Sequence, residues 1–565
     1  MARQLSPETS RRGSQRPGSS LSPNVAATNR EAQLADKLLN EQDISIRLSI
    51  ASEIRDSVET LNREAEYKTF VDHVLPAVIS VLRAGPVSVY AATPEHKLRM
   101  TLMDALHRLN QSEPLKPHAP ELMALLLYLL RNDNEDVASV AMKTIIDLHR
   151  AFKDVLSATV DEFFTIVKDY YRGMDAVVAN LFPQDDTPKP EDTSAKETTP
   201  ATPGNTLSAS GSMQPASNNT PLPMATQSFK VISECPIAIV FLFQTYREVV
   251  PQETKIFVPI IFNFLQITPA AQLQAHQEAE AKGEIFTDVA AALESKRGLF
   301  NELLNAQVKT MSFVAYVLRV AFSALNSYRT VLPSIIVRLM KDMSTEAVAT
   351  RKELIVAHRH ILATDFRAHF IPYIDVLLDD RVLIGTSTTS NETLRQTGYS
   401  TMADMIHHVR AELNIEQISR VIHTFSCHLH DNTLTFSIQT MGSKLLLNLI
   451  GSIIVKDREV AIQLLNRILE VFVLKVENLA ALRDDWDKWA RPKAGQKRKG
   501  AEEAEEEKSR GEADQEMDGS SGEEQKEMDE VDLERRKPIG AMACMSADQS
   551  ADALKGSFRC LANIP

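Results

Sequence analysis

The residues best suited to metal chemistry lie in the short run CHLH. Cys427, His428 and His430 offer a thiol and two imidazoles, and the pair His407–His408 could supply a further ligand. Zinc favours such ligands, but a helix chelates best through residues four apart, which share a face. Cys427 and His428 are adjacent, so on a helix their side chains diverge by about 100°. We therefore expect no metal site and interpret Cys427 as a small core residue.

Motifs for nucleotide and acyl chemistry are missing from the sequence. There is no GxxxxGK[ST] or GxGxxG loop to hold phosphates, no HRD or DFG element of a kinase and no GxSxG nucleophile turn. We therefore expect no catalytic residue, no cofactor and no small-molecule substrate.

One helical pattern recurs at a fixed interval in the second half of the chain. Counting from Thr350, small or apolar residues stand at steps 4, 7 and 11, and from Leu394 and Ile438 they stand at steps 4, 8 and 11. These starting points are 44 residues apart, within the period of about 40–47 residues typical of HEAT-type helix pairs. The positions are Leu354, Ala357, Ile361, Gly398, Met402, Met405, Gly442, Leu446 and Leu449. The pattern predicts an all-α solenoid, whereas an irregular helical domain would require accidental spacing.

Several details follow from this register. First helices of the pairs are predicted at 121–130, 368–378 and 416–429. The small residue at step 4 should let the second helix of each pair approach its neighbour closely. Arg351 and Arg395 stand one residue into their helices, and either tie a turn to the next repeat or contact a ligand.

Composition divides the chain into five segments. We expect a disordered N-terminus at 1–30, a helical-repeat block at 31–181 and a Pro/Ser/Thr-rich linker at 182–226. A HEAT-repeat block at 227–482 and a basic then acidic disordered tail at 483–565 follow. In the first block an apolar stripe is predicted along one helix face, formed by Ile46, Ile50, Ile54 and Val58.

Charge and cysteine content limit the possible partners and compartments. The formal net charge is −13, so no global basic field favours nucleic acid, and we expect no direct DNA binding. The four cysteines are widely spaced, which suits a reducing compartment. The N-terminus lacks an apolar signal sequence, and no apolar run approaches the ~20 residues needed to span a bilayer, so no membrane role is expected.

A short basic cluster marks the start of the tail. It is typical of a nuclear import signal, although a solvated charge run that offsets the acidic tail is the alternative. Its cations are Arg491, Lys493, Lys497, Arg498 and Lys499.

Several blocks resemble the N-terminal HEAT-repeat region of the TRRAP family, the transformation/transcription domain-associated proteins. The resemblance is densest in LIGTSTTSNETLRQTGYSTMADMIHHVR (383–410) and SIQTMGSKLLLNLI (437–450), and it extends over 228–264, 307–320 and 351–380. It implies a truncated, HEAT-repeat part of a much larger pseudokinase related to the phosphatidylinositol 3-kinases. It further implies a nuclear, non-catalytic scaffold resembling the activator-docking subunit of the SAGA and nucleosomal H4 histone acetyltransferase complexes, with transcription activators and acetyltransferase subunits as partners.

Such a scaffold would capture acidic, partly hydrophobic segments beside exposed cations. The candidate contacts are Lys352, Arg359, Arg410 and Lys444, which an ordinary charged solvent face would explain equally well. A karyopherin-like HEAT-repeat transport receptor, or another protein-binding scaffold, is the alternative. Karyopherin solenoids usually lack a long Pro/Ser-rich break and a basic–acidic tail.

Overall fold

The described part of the chain consists of α-helices joined by turns and short 3-10 helices. The computed structural model describes residues 23–61, 64–182, 221–269, 272, 281, 296–344, 347–385 and 392–490. Within these ranges no extended strand occurs, and β-type pairing is limited to isolated bridges. The all-α prediction is therefore confirmed. The chain divides between Ser327 and Tyr328 into two compact units.

The helices of the first unit stack in two layers. One layer contains α1 (Pro23–Asn40), α3 (Glu64–Ala84), α5 (Ala119–Asn132), α8 (Val160–Leu181) and α10 (Val250–Gln266). The other contains α2 (Ile44–Thr60), α4 (Pro94–His107), α6 (Glu135–Ala151), α9 (Phe229–Thr245) and α11 (Arg297–Val320), and the single turn α7 (Lys153–Leu156) follows α6. Within each layer every helix packs on the next one, which is the arrangement of stacked helix pairs.

Polar caps define where several of these helices begin. Asp43, Asn134 and Ser228 each accept a hydrogen bond from a backbone N–H in the first turn of the helix that follows. Thr93 does the same for α4, with Pro94 in the first turn, where its missing N–H leaves no bond unmade. The N-termini are thus specified locally, and burial of the apolar faces then fixes their packing.

The predicted stripe on α2 is only partly buried. Ile50, Ile54 and Val58 are buried in the core, but Ile46 is 48% exposed. The stripe is therefore wrong at Ile46. The residue lies in the first turn of the helix, and the buried positions begin one turn later, at Ile50.

A cluster of aromatic rings forms the core between α8, α9, α10 and α11. Phe164 contacts Phe243 and Phe257 edge-on, with ring centroids 5.6 and 5.5 Å apart. Phe313 lies 5.9 Å from Phe243. Edge-to-face packing of this kind adds about 0.5–1.5 kcal/mol per pair beyond area burial, so the cluster holds the two layers together.

Residues at the end of the predicted linker pack against the first unit. Leu222 donates its N–H to the carbonyl of Val89 (2.7 Å), and the N–H of Ala225 reaches the carbonyl of Asp133 (2.9 Å). The buried carboxylate of Asp133 accepts a hydrogen bond from Arg99. Segment 221–227 is thereby fixed against α5, α6 and α8 and the turn before α4, all of which precede the 182–226 stretch. Residues 1–22, 183–220 and 491–565 lie outside the described ranges, and the domain boundaries stay predictions.

The second unit repeats the two-layer arrangement. First helices are α12 (Val331–Asp342), the 3-10 segment Asp365–Tyr373 with α14 (Ile374–Leu377), α17 (Ile415–His430) and α19 (Arg458–Ala490). Second helices are α13 (Val348–Leu362), α16 (Glu392–Val409) and α18 (Phe436–Ile454), and the short α15 (Asp380–Leu383) precedes α16. The second helices pack on one another in sequence order.

The 44-residue register is confirmed by burial. All nine positions at its steps are buried: Leu354, Ala357, Ile361, Gly398, Met402, Met405, Gly442, Leu446 and Leu449. A Cβ built on Gly398 would stand 3.3 Å from Cγ of Leu383, so the neighbouring segment does approach closely. At Gly442 the nearest atoms, which belong to Phe425, are 3.6 Å away. An alanine would therefore fit at Gly442 but only tightly at Gly398.

The predicted first helix 368–378 is not a continuous α-helix. Residues Asp365–Tyr373 form a 3-10 helix, and only Ile374–Leu377 is α-helical. Pro372 lies within the 3-10 stretch, where its missing N–H would break an α-helical hydrogen bond. The helices predicted at 121–130 and 416–429 are confirmed as parts of α5 and α17.

Candidate protein-binding surface

Arg351 is a structural residue rather than a ligand contact. Its side chain is 1% exposed and donates to the carbonyls of Met340 (3.0 Å), Met343 (2.8 Å) and Val382 (2.5 Å). These carbonyls belong to the end of α12, the turn after it and α15, so one guanidinium ties a turn to the next repeat. Burial lowers the pKa of Arg351 to about 10.

Arg395 and Gln439 stand 44 and 88 positions after Arg351. They also hold a turn through their side chains, but with different hydrogen-bond partners. Arg395 lies 3.4 Å from the carboxylate of Asp431 and donates to the hydroxyl of Thr433 (3.2 Å), both in the turn between α17 and α18. Gln439 donates to the carbonyls of Asp431 (2.9 Å) and Leu434 (3.2 Å) in that same turn. The structural interpretation of both arginines is thus supported. Sequence reasoning missed Gln439, although its place in the register marks it.

Lys352, Arg359 and Lys444 are all exposed on the second helices of the second unit, and we call this the second-helix surface. Lys352 and Arg359 lie two turns apart on α13, and Lys444 lies on α18. Arg359 forms an ion pair with Asp404 of α16 at 3.2 Å, with both side chains about half exposed. An exposed pair of this kind contributes at most about 1 kcal/mol, so Arg359 stays accessible to a partner.

Arg410, the fourth candidate, is engaged at the end of α16. It is half-buried, and its guanidinium donates to the carbonyl of His407 in the last turn of that helix. A cation at this position satisfies a free carbonyl and the negative end of the helix dipole. Burial and then the charge of Arg410 lower the pKa of His407. Arg410 therefore has a structural role at the edge of the second-helix surface.

The CHLH run forms part of the core through His428, not Cys427. Cys427 is exposed, and its interpretation as a core residue is wrong. His428, on another side of α17, is buried instead. Its ring centroid lies 4.0 Å from that of Tyr399 and 5.3 Å from that of Phe425. Burial lowers the pKa of His428 to about 4. In the part of the chain that the structure describes, no group of three or more His, Cys, Asp or Glu side chains could hold a metal ion.

Sequence reasoning also missed a groove in the first unit, which is lined by residues of α9, α10 and α11 such as Phe243, Pro251 and Val320. Its cations, Arg247 and Lys255, lie in the stretch REVVPQETK, where nothing in the spacing marks them as members of one site. The groove forms only when residues of α9, α10 and α11 pack together. Such a site has no local sequence signal.

The predicted import signal lies outside the described ranges: Arg491, Lys493, Lys497, Arg498 and Lys499. Among the helices that are described, none alone is long and apolar enough to cross a membrane. The pair Phe229–Thr245 and Arg247–Gln266 meets the criterion of length and composition only when joined, and it is bent by 105° at the break.

The stacked helix pairs, with their buried 44-residue register, define a helical-repeat protein of the HEAT type. The model of the protein family described as "Tra1 HEAT repeat central region" matches residues 299–563 of this chain. The chain thus resembles the HEAT repeats of the TRRAP family, as the sequence predicts.

Curated proteins similar to this chain point to the same family. The Saccharomyces cerevisiae "SAGA complex/NuA4 acetyltransferase complex subunit TRA1" is 32% identical over 453 residues, which cover 77% of this chain and 12% of that protein. The Schizosaccharomyces pombe subunit Tra1 is 34% identical over 448 residues, with 77% and 12% covered. The human "Transformation/transcription domain-associated protein" is 31% identical over 443 residues, with 77% and 11% covered. The chain therefore matches only about a tenth of the length of these relatives.

Solved structures resemble the chain only distantly. The Kap95:Nup1 complex matches with a TM-score of 0.33 and 11% identity over 76% of this chain and 48% of that one. A complex of Kap95p with RanGDP matches with a TM-score of 0.35 and 11% identity, over 79% and 51%.

Proposed function

We propose that this chain is a non-catalytic scaffold of the transcription-coactivator type, which binds transcription activators and subunits of a histone acetyltransferase complex in the nucleus. One observation carries the proposal: 77% of the chain is about a third identical to proteins named as subunits of SAGA and NuA4. Stacked HEAT pairs suit this role, because each pair adds exposed surface without requiring a closed active site.

The second-helix surface supplies candidate contacts for an acidic partner. Lys352 and Lys444 are exposed, and Arg359 needs only to exchange a weak surface ion pair. Arg410 would act less directly, because its guanidinium is engaged at the end of α16. Cations placed beside apolar side chains would steer an acidic segment and let it fold on binding.

Affinity purification of the tagged chain from nuclear extract, followed by mass spectrometry, tests the proposal. Recovery of acetyltransferase-complex subunits is the expected result. Recovery of Ran and nucleoporins in their place would refute it in favour of a transport receptor. A Lys352→Glu/Lys444→Glu variant should lose captured activators, whereas Lys97→Glu on the exposed side of α4 is the control.

A further inference from the structure

A groove of about 740 Å³ lies in the first unit, between the end of α9, the start of α10 and the end of α11. Its apolar lining includes Phe243 and Val250, which are buried, and Pro251 and Val320, which are exposed, Val320 by 51%. Soluble proteins normally bury such side chains or use them to bind a partner. The volume is within the range of sites that enclose a drug-sized ligand or a few side chains.

The charged groups at the groove are cations. Arg247 and Lys255 line it and are exposed. Tyr316 also lines it: burial raises the pKa of this phenol, and the nearby charges of Arg247 and Arg319 oppose that rise. The surroundings of the groove are therefore positive over several side chains.

The acidic residues of the adjoining elements do not cancel this charge within the groove. Glu248 follows Arg247 in the 3-10 turn and is exposed to solvent. Glu253, on the first turn of α10, is buried and paired with Lys168 at 2.6 Å. Neither carboxylate belongs to the groove lining.

The groove also contains an unused hydrogen-bonding group. Thr254 lines it, is only 1% exposed, and its hydroxyl has no hydrogen-bond partner among the described residues. A buried hydroxyl without a partner costs about 1–3 kcal/mol.

We propose that this groove binds an acidic peptide segment of a partner protein, with one or two bulky apolar side chains against Pro251 and Val320 and carboxylates at Arg247 and Lys255. Charge complementarity selects this occupant, because the groove combines an apolar wall with cations. The proposal rests on the proposed function, which already takes the partner to offer an acidic protein segment, and adds a second place where such a segment binds. The groove belongs to the first unit, whereas the four candidate cations belong to the second.

The test uses the full chain and a short fluorescent peptide rich in Asp, Glu, Phe and Leu, with binding followed by polarisation. Arg247→Glu/Lys255→Glu should weaken binding by about tenfold or more, and so should Val320→Asp. Lys37→Glu/Lys97→Glu introduces the same charge change at exposed positions outside the groove and should leave binding unchanged. A second peptide with Asn and Gln in place of the acids should bind more weakly and lose its sensitivity to salt.

Three results would overturn the proposal. The wild-type chain could fail to bind the acidic peptide, or the groove variants could bind it as tightly as the control does. Alternatively, sedimentation could reveal a dimer that Val320→Asp dissociates, which would make a second copy the occupant. Circular dichroism of each variant excludes unfolding as the cause. Any of these failures would leave the co-purification of acetyltransferase subunits unaffected, so the two proposals fail separately.

Discussion

Two glycines of α18 provide a matched test of inter-helix packing. Gly442 is buried, and a Cβ placed on it would contact Cδ1 and the carbonyl oxygen of Phe425, both at 3.6 Å. Gly451 is exposed in the same helix, and nothing lies within 4 Å of a Cβ built there. Both are helical, so they differ mainly in what a larger side chain would meet.

The expected change in stability depends on the size of the side chain that replaces each glycine. Alanine should stabilise the protein at both positions by up to about 1 kcal/mol, because glycine is a poor helix former and 3.6 Å is ordinary contact. Leucine should still stabilise at Gly451. At Gly442 its extra carbons would press against Phe425, part of which is rigid backbone, and overpacking of this kind costs about 1–3 kcal/mol. Gly442→Leu should therefore be less stable than Gly451→Leu by about 1–3 kcal/mol.

Hydrogen exchange with mass spectrometry can locate the loss. In a stack of repeats each pair interacts only with its neighbours, so Gly442→Leu should reduce protection in α16, α17 and α18 and leave α2 to α6 unchanged. Thermal melts of the four variants supply the order of stabilities. Equal stability of the two leucine variants would refute the reasoning and place Gly442 away from the α17 contact.

The other predictions concern buried polar groups and localisation. Arg351→Met should destabilise the second unit by roughly 2–4 kcal/mol, since three carbonyls lose their donor, whereas Lys352→Met on the exposed face should change the unfolding midpoint little. His358 is fully buried against Phe370, and burial lowers its pKa to about 3. The unfolded chain binds a proton there below about pH 6.5 and the folded chain does not, so stability should fall as pH drops from 6.5 towards 3, by up to about 1.4 kcal/mol per pH unit. His358→Leu should make the melting temperature depend less on pH between 6.5 and 3, and the exposed His360→Leu should leave that dependence unchanged. A fluorescent fusion should shift to the cytoplasm when Lys497, Arg498 and Lys499 become Ala, and an unchanged nuclear signal would exclude this cluster as the import signal.

The helical repeat could be predicted from the sequence, but the places where single segments deviate from it could not. Burial acts on every repeat in the same way, so Leu354, Met402 and Leu446 could be assigned to the core from spacing alone. The 3-10 segment around Pro372 departs from that pattern because one residue changes the local hydrogen bonding. Residue type predicts a core position for Cys427, which is wrong because the helical rotation that buries Phe425 and His428 exposes it.

The binding surfaces were harder to predict, because exposure alone does not give an arginine or lysine its role. Arg359 and Arg410 look alike in sequence, yet one forms a surface ion pair and the other donates to a carbonyl at the end of α16. The groove at Arg247 and Lys255 is formed by three helices. The periodicity of apolar residues describes one helix at a time, so it does not predict which helices form a groove together. Folded geometry is needed to distinguish these cases.

The position after each starting point of the register illustrates how a repeat protein can vary within a fixed backbone plan. Arg351 binds carbonyls before and after its helix, Arg395 binds the carboxylate and hydroxyl of the following turn, and Gln439 binds carbonyls of the preceding turn. Gln439 also accepts a hydrogen bond from the buried amine of Lys475 at 2.8 Å. Each junction satisfies its own polar groups, because a pair contacts only its neighbours. A consensus residue imposed at all three positions would therefore leave turn atoms without partners in at least one repeat, even though the apolar register would be unchanged.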